Sequence, residues 1–188
     1  MEPARQRREP VTLTGANRHP SGDIGRKRAA VTREWRSGVD SVDMKLEVVV
    51  LPVSDVDGAK NFYRSAGFRE DFDYSSGDDF RVVQFTPPGS GASIIFGTGI
   101  TDVPPGSVEG LQLVVPDIEA ARMALISGGV DVTDVFHDIG GVFYHRSPAY
   151  EIPGVHPDRR SYGSFARFSD PDGNEWVLQE VSQRAPGR

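Results

Sequence analysis

From residue 44 onward the chain passes from a strand-like to a helix-like spacing of apolar residues, and it does so twice. Leu46 to Val53 is a β-branched run that predicts a strand, with Pro52 near its end because proline brings no amide hydrogen to a ladder. Asp55 follows as a helix cap, and Val56, Ala59, Phe62 or Tyr63, and Ala66 recur at helical spacing. Gly67 suits the position just past a helix, where a positive φ costs glycine little. Phe68 to Tyr74, Phe80 to Thr86 and Ala92 to Phe96 predict three more strands, with turns at residues 76–78 and 87–89. The order then restarts with a strand at Leu111 to Val115 and a helix begun by Asp117. That helix carries Ile118, Ala121 and Leu125 and stops at Gly128 and Gly129. Strands at Val130 to Phe136, Phe165 to Phe168 and Trp176 to Val181 complete the second round.

The two rounds align at an offset of 62 residues, pairing Val53 with Val115, Asp55 with Asp117, Ala59 with Ala121, Lys60 with Arg122 and Gly67 with Gly129. One strand–helix–three-strand unit has a sheet face that a single helix cannot cover, and pairing two units buries more of it. The expected fold is α+β: two tandem βαβββ modules forming an incurved mixed sheet with a central cup. Module one is expected over residues 44–100 and module two over 108–182, within a domain of residues 44–182. Residues 137–164 break the repeat. An insert of this length exceeds the roughly 12–15 residues usual for a plain loop, and its aromatic, His and Arg content suits a lid on the cup.

Residues 1–43 alternate Arg, Pro, Gly and polar residues and read as a disordered or loosely attached tail, and residues 183–188 as a flexible end. The tail holds nine Lys/Arg against six Asp/Glu, and the remainder twelve against twenty-one. An acidic body argues against a nucleic-acid surface. With no cysteine, disulfides, thiolate nucleophiles and Cys-based zinc sites are excluded. No stretch reaches the roughly 18 apolar residues of a membrane span, and no apolar region follows the N-terminal arginines, so the expected location is the cytoplasm.

Val53-Ser54-Asp55 with Phe62-Tyr63, then Val115-Pro116-Asp117, then Ser169-Asp170-Pro171-Asp172-Gly173-Asn174 occur in this order across residues 44–182. In that order they resemble the vicinal oxygen chelate superfamily, which includes glyoxalase I, extradiol dioxygenases and bleomycin-resistance proteins, and within it a glyoxalase-like subgroup. The resemblance implies a cup between modules and pairing into a homodimer. It also implies metal-ligand positions that fall here on Val48, Gly110 and Val177, none of which can ligate through its side chain. Glu47 and Glu109 stand one residue away from the first two, which in a strand turns the side chain to the other face. The expected cofactor is therefore none, and family chemistry is not expected.

If the former ligand positions face the cup, so do Val50, Gln112, Val114, Glu175 and Gln179. Arg81, His137, Tyr144 and His145 complete the candidate ligand-binding set, with no catalytic residue assigned. The leading functional expectation is a metal-independent small-molecule-binding protein of the glyoxalase/bleomycin-resistance type. The alternatives are a metal-dependent lyase or dioxygenase with displaced ligands, for which His137, His145 and Glu175 form one candidate set, and an interaction protein with no small ligand.

Overall fold

The computed structural model of the chain describes residues 42–142 and 144–186. The expected tail therefore lies outside the described residues, apart from its last two positions. The elements run β1 (Val48–Val50), α1 (Val56–Ser65), β2 (Arg69–Ser76), β3 (Phe80–Thr86), β4 (Ser93–Thr98), β5 (Leu111–Val115) and α2 (Ile118–Ser127). After these come β6 (Phe136–Asp138), a single 3-10 turn (Pro148–Tyr150), β7 (Glu151–Pro153), β8 (Ser164–Ser169) and β9 (Glu175–Glu180).

Two sheets result, ordered β1-β4-β3-β2 and β5-β9-β8-β6-β7. In each, the first strand of the module runs parallel to the last, β1 to β4 and β5 to β9, while the others pair antiparallel. The repeat read from the sequence is thus a repeat of topology. Its punctuation repeats too. Asp55 accepts from the amides of Asp57 and Gly58 at 3.0 Å, and Asp117 from that of Ala120 at 3.0 Å, so each helix has a carboxylate on its free first-turn donors. Gly67 and Gly129 hold φ of +84° and +86°, a left-handed turn out of each helix.

The two helices and one face of each sheet share a core. Ala59 and Tyr63 of α1 and Ile118 and Leu125 of α2 pack with Leu51, Val83, Phe85, Ile94, Phe96, Phe168, Trp176 and Leu178. The Tyr63 ring stands 6.2 Å from Trp176, and Phe62 stands 6.4 Å from Phe168, so module-one aromatics meet module-two aromatics. The helix ends also meet: a Cβ on Gly128 would lie 2.1 Å from the Ser65 carbonyl oxygen, a backbone approach that only glycine permits.

A polar link joins the modules through the turn before β9. Buried Asp170 accepts on Oδ1 from the amides of Asp172, Gly173 and Asn174, and on Oδ2 from the Tyr63 hydroxyl at 2.9 Å and Asn174 Nδ2 at 2.7 Å. Asn174 in turn donates to the Pro52 carbonyl at 3.0 Å. Burial, followed by the Asp170 charge, pushes the Tyr63 phenol well above its ordinary value. Asp170 and Asp172 resemble calcium-loop acids when read alone, and in the structure they form the turn and its anchor. Asp172 accepts from the amide and hydroxyl of Ser54.

Two expected strands are shorter than their apolar runs. Of Leu46 to Val53, only Val48–Val50 is strand, with the Leu51 amide adding one bond to the Ile95 carbonyl before Pro52 ends the ladder. Val130 to Phe136 contributes only a bridge from Val132 to Phe168 before β6 begins at its final residue. Arg122 donates to the carbonyls of Thr133 and Val132, and the Thr133 hydroxyl accepts the Arg167 amide, so side chains take bonds that a ladder would otherwise use. The alternating burial of Val130 and Val132 survives without the strand.

Candidate functional site

Strand alternation sorts the side chains of each sheet into a face toward the helices and a face away from them. On the first sheet the face away from the helices is open. Val48, Val50, Phe72, Tyr74 and Phe80 are all exposed there, with Tyr74 and Phe80 meeting edge to face at 6.5 Å. Toward one end of this face Thr86 donates to Asp71, and Gln84 and Ser93 join the same cluster. The Thr86 hydroxyl, against the opposing effect of burial, holds the Asp71 carboxyl below its ordinary value.

On the second sheet the corresponding face is covered by the insert. Phe136, Phe165 and Val177 form a small buried cluster on which Tyr144 packs. Arg167 lies among them, its guanidinium 5.0 Å from the Phe136 ring centre. It donates to the Tyr144 hydroxyl at 3.1 Å and to Glu151 Oε2 at 3.0 Å, with Nη1 2.9 Å from Oε1. Burial pushes the Tyr144 phenol up. Gln179 is spent on the cover, donating to the carbonyls of Tyr162 at 3.0 Å and Val142 at 3.4 Å. Glu175 is half-buried, and its Oε1 has no hydrogen-bond partner among the described residues.

A cleft of about 580 Å³ opens along β5, whose outer edge carries no partner strand among the described residues. Its walls are the end of α1 and the following turn (Ser65 to Phe68), the β3–β4 turn (Pro87 to Gly91), β5 from Gln112 to Val115, and Ala121, Ala124 and Leu125 of α2. Leu178 and Arg184 complete it. The volume falls within the roughly 300–1,000 Å³ of small-molecule pockets, and the lining is mostly apolar with a few polar groups, the make-up that binds and orients such ligands.

The sequence-predicted residues thus fall in separate places. Gln112 and Val114 line the cleft, and Val50 lies on the open face of the first sheet. Tyr144, Glu175 and Gln179 lie with Val177 at the covered face. Arg81 shares the helix side of its sheet with Val83 and Phe85, where it pairs with Asp73 at 2.7 Å and Asp57 at 2.9 Å. Its hydrogen bond, followed by that of Lys60, holds the Asp73 carboxyl far below the usual carboxylate range. His137 points to the helix side of β6, bonding the Gly154 carbonyl at 3.0 Å with its ring 5.6 Å from that of His156. His145 is held on the other side of β6 by Asp138 at 2.8 Å. The set His137, His145 and Glu175 is therefore not assembled, and among the described residues no three His, Asp or Glu side chains are grouped to hold a metal ion.

Sequence reasoning missed Arg167 and the walls given by residues 65–68 and 87–91. An arginine flanked by Ala166 and Phe168 in an apolar strand was a readable signal for the first. The walls are turns in sequence, and only the packing of the modules brings them to β5.

Solved structures share this fold. TnmS3, described as an antibiotic binding protein from Streptomyces sp. CB03234, is 30% identical with a TM-score of 0.54, over 76% of this chain and 99% of that one. A glyoxalase/bleomycin resistance protein from Streptomyces sp. CB03234 is 31% identical with a TM-score of 0.50, over 72% of this chain and 100% of that one. The chain belongs to the glyoxalase/bleomycin resistance protein/dioxygenase superfamily. A member of this superfamily from Sphaerobacter thermophilus is 27% identical with a TM-score of 0.53, over 73% of this chain and 98% of that one. Neither a family model nor a curated protein sequence matches the chain. As a member of the superfamily, the chain has its two-module topology with the second module's face covered by residues of the insert. Among the described residues no helix is long and apolar enough to cross a membrane.

Proposed function

We propose that this superfamily member is a metal-independent binding protein that holds a small amphipathic, partly aromatic molecule in the cleft along β5. The observation that carries the reading is the cleft itself, with Phe68, Leu113, Val115, Leu125 and Leu178 among its apolar walls and Gln112 and Arg184 as polar contacts. Burial against these walls supplies affinity, while the amide and guanidinium favour a ligand with a hydrogen-bonding or anionic group. The description of TnmS3 as an antibiotic binding protein supports a small-molecule ligand.

Metal independence rests on the donors present. Val48 and Val177 offer only hydrocarbon, and Gly110 offers no side chain, whereas a divalent cation requires several oxygen or nitrogen ligands. Of the neighbouring acids, Glu109 pairs with Arg146, and Glu47 belongs to the helix-side parity of β1.

Calorimetric titration of an anionic aromatic probe, anilinonaphthalene sulfonate, is expected to show saturable binding that a chelator leaves unchanged. Ala124→Trp, which fills the cleft from the exposed side of α2, is expected to weaken it at least about tenfold, or about 1.4 kcal/mol. Binding that needs an added divalent cation, or that ignores the tryptophan, overturns the assignment.

The open face of the first sheet supports a further part of the reading, a homodimer. Five exposed apolar side chains on one sheet face form the kind of surface that a second copy covers. Sedimentation is expected to give a dimer that Tyr74→Glu, at the most exposed of these aromatics, shifts to monomer. A wild-type monomer at high protein concentration excludes the pairing.

A further inference from the structure

The insert holds a second chemical feature that ligand binding in the cleft does not use. Asp138, on the face of β6 away from the helices, has a side chain with no solvent exposure. It accepts from the Gly140 amide at 2.7 Å, the His145 amide at 2.8 Å, and His145 Nδ1 at 2.8 and 2.9 Å from its two oxygens. Burial raises its carboxyl, but the two amides and the imidazole outweigh that and leave it below its ordinary value, so it is ionised. An ionised carboxylate only accepts, so the hydrogen of neutral His145 sits on Nδ1 and the lone pair on Nε2.

The ring is fixed on two further sides. Tyr150 stacks on it at 4.5 Å with an 18° tilt. Gly140 abuts its edge so closely that a Cβ there would lie 2.7 Å from Cε1. Yet the side chain is 45% exposed, and no described residue bonds Nε2. A surface histidine that only filled space would not need a buried anion, an aromatic face and a glycine to fix its tautomer and direction. These are the features that orient a base: a carboxylate behind Nδ1, a free lone pair in front.

We propose that Asp138 and His145 form a general-base site acting on water or a substrate hydroxyl at the rim of the insert, with His145 as the base and Asp138 as its positioning residue. With an activated ester, Nε2 takes a proton from water as the water oxygen bonds the acyl carbon. The acyl–oxygen bond then breaks to release the alcohol as its anion. The imidazolium, stabilised by Asp138, afterwards returns its proton to solvent. No metal, oxidant or covalent enzyme intermediate is needed.

Hydrolysis of p-nitrophenyl acetate by the full chain tests the activity. His145→Gln is expected to lower the protein-dependent rate at least tenfold, and the wild-type rate is expected to fall two- to threefold in heavy water. Nitrogen NMR of the histidine rings tests the positioning independently. Wild-type His145 is expected as the Nδ1–H tautomer, and Asp138→Asn is expected to shift it toward Nε2–H while far-ultraviolet dichroism stays native. Equal hydrolysis by wild type and His145→Gln overturns the base. An Nε2–H tautomer in the wild type overturns the geometry behind it. Probe binding in the cleft is a readout separate from both the hydrolysis and the histidine tautomer, so the two assignments fail separately.

Discussion

Asp170→Ala is expected to cost about 3–5 kcal/mol of folding stability, the range for breaking a buried, fully bonded charge site. The carboxylate is buried and accepts from three turn amides, the Tyr63 hydroxyl and the Asn174 amide. Alanine leaves all five donors without that acceptor, several of them where water does not reach, and each stranded donor carries a desolvation penalty of about 1–3 kcal/mol. Losses within one network are not additive, so the total stays well below their sum. Urea unfolding measures the effect, with Asp172→Ala as the comparison. The Asp172 side chain is half-buried and, among the described residues, accepts only from Ser54 at 2.5 to 3.1 Å, so its loss is expected to cost about 1 kcal/mol. Equal costs for the two substitutions would show that Asp170 is not the anchor between modules.

Arg167→Ala is expected to cost about 2–4 kcal/mol and to loosen the insert selectively. The guanidinium is 21% exposed and its partner Glu151 18%, so removing the cation strands a mostly buried carboxylate. The figure is set below that for full burial because the residual exposure lets water reach the pair. The same change removes the donor to the Tyr144 hydroxyl and the cation over Phe136. Hydrogen exchange is expected to accelerate over residues 139–156 while α1 and β4 keep their protection. Arg167→Lys keeps the charge but not the planar fork, and is expected to recover only part of the loss. Unchanged exchange in the insert for Arg167→Ala would refute the view that this residue fastens the cover.

Much of the fold was legible because local chemistry and tertiary need agree. Asp55 and Asp117 cap helices, Gly67 and Gly129 turn out of them, and the matched order gives two sheets of like topology. The limits have particular causes. The β2–β3 pairing shifts register between Glu70 and Phe72, so alternation counted along β2 changes face in mid-strand. Arg81 could be placed on a strand but not on a face, because its acidic partners come from a helix and from a strand across that shifted register. The candidate site was less legible than the fold. Counting by twos put Gln112, Val114 and Val177 on the face away from the helices, but what covers a face is decided by residues distant in sequence. Tyr144 packs onto the cluster of Phe136, Phe165 and Val177 from an insert whose path no periodicity encodes. The dyad of Asp138 and His145 spans a tight glycine loop, so its members are seven residues apart with no repeat to mark them.

The hydroxyl of Tyr63 finds its acceptor 107 residues further along the chain. During synthesis on the ribosome, therefore, the first half emerges with its central tyrosine unanswered, and Pro52 lacks the amide it will receive from Asn174. Only when the closing hairpin has left the exit tunnel can either half be sealed. A nascent chain halted anywhere before residue 170 is expected to leave the Tyr63 hydroxyl without this acceptor, however complete its first four strands are.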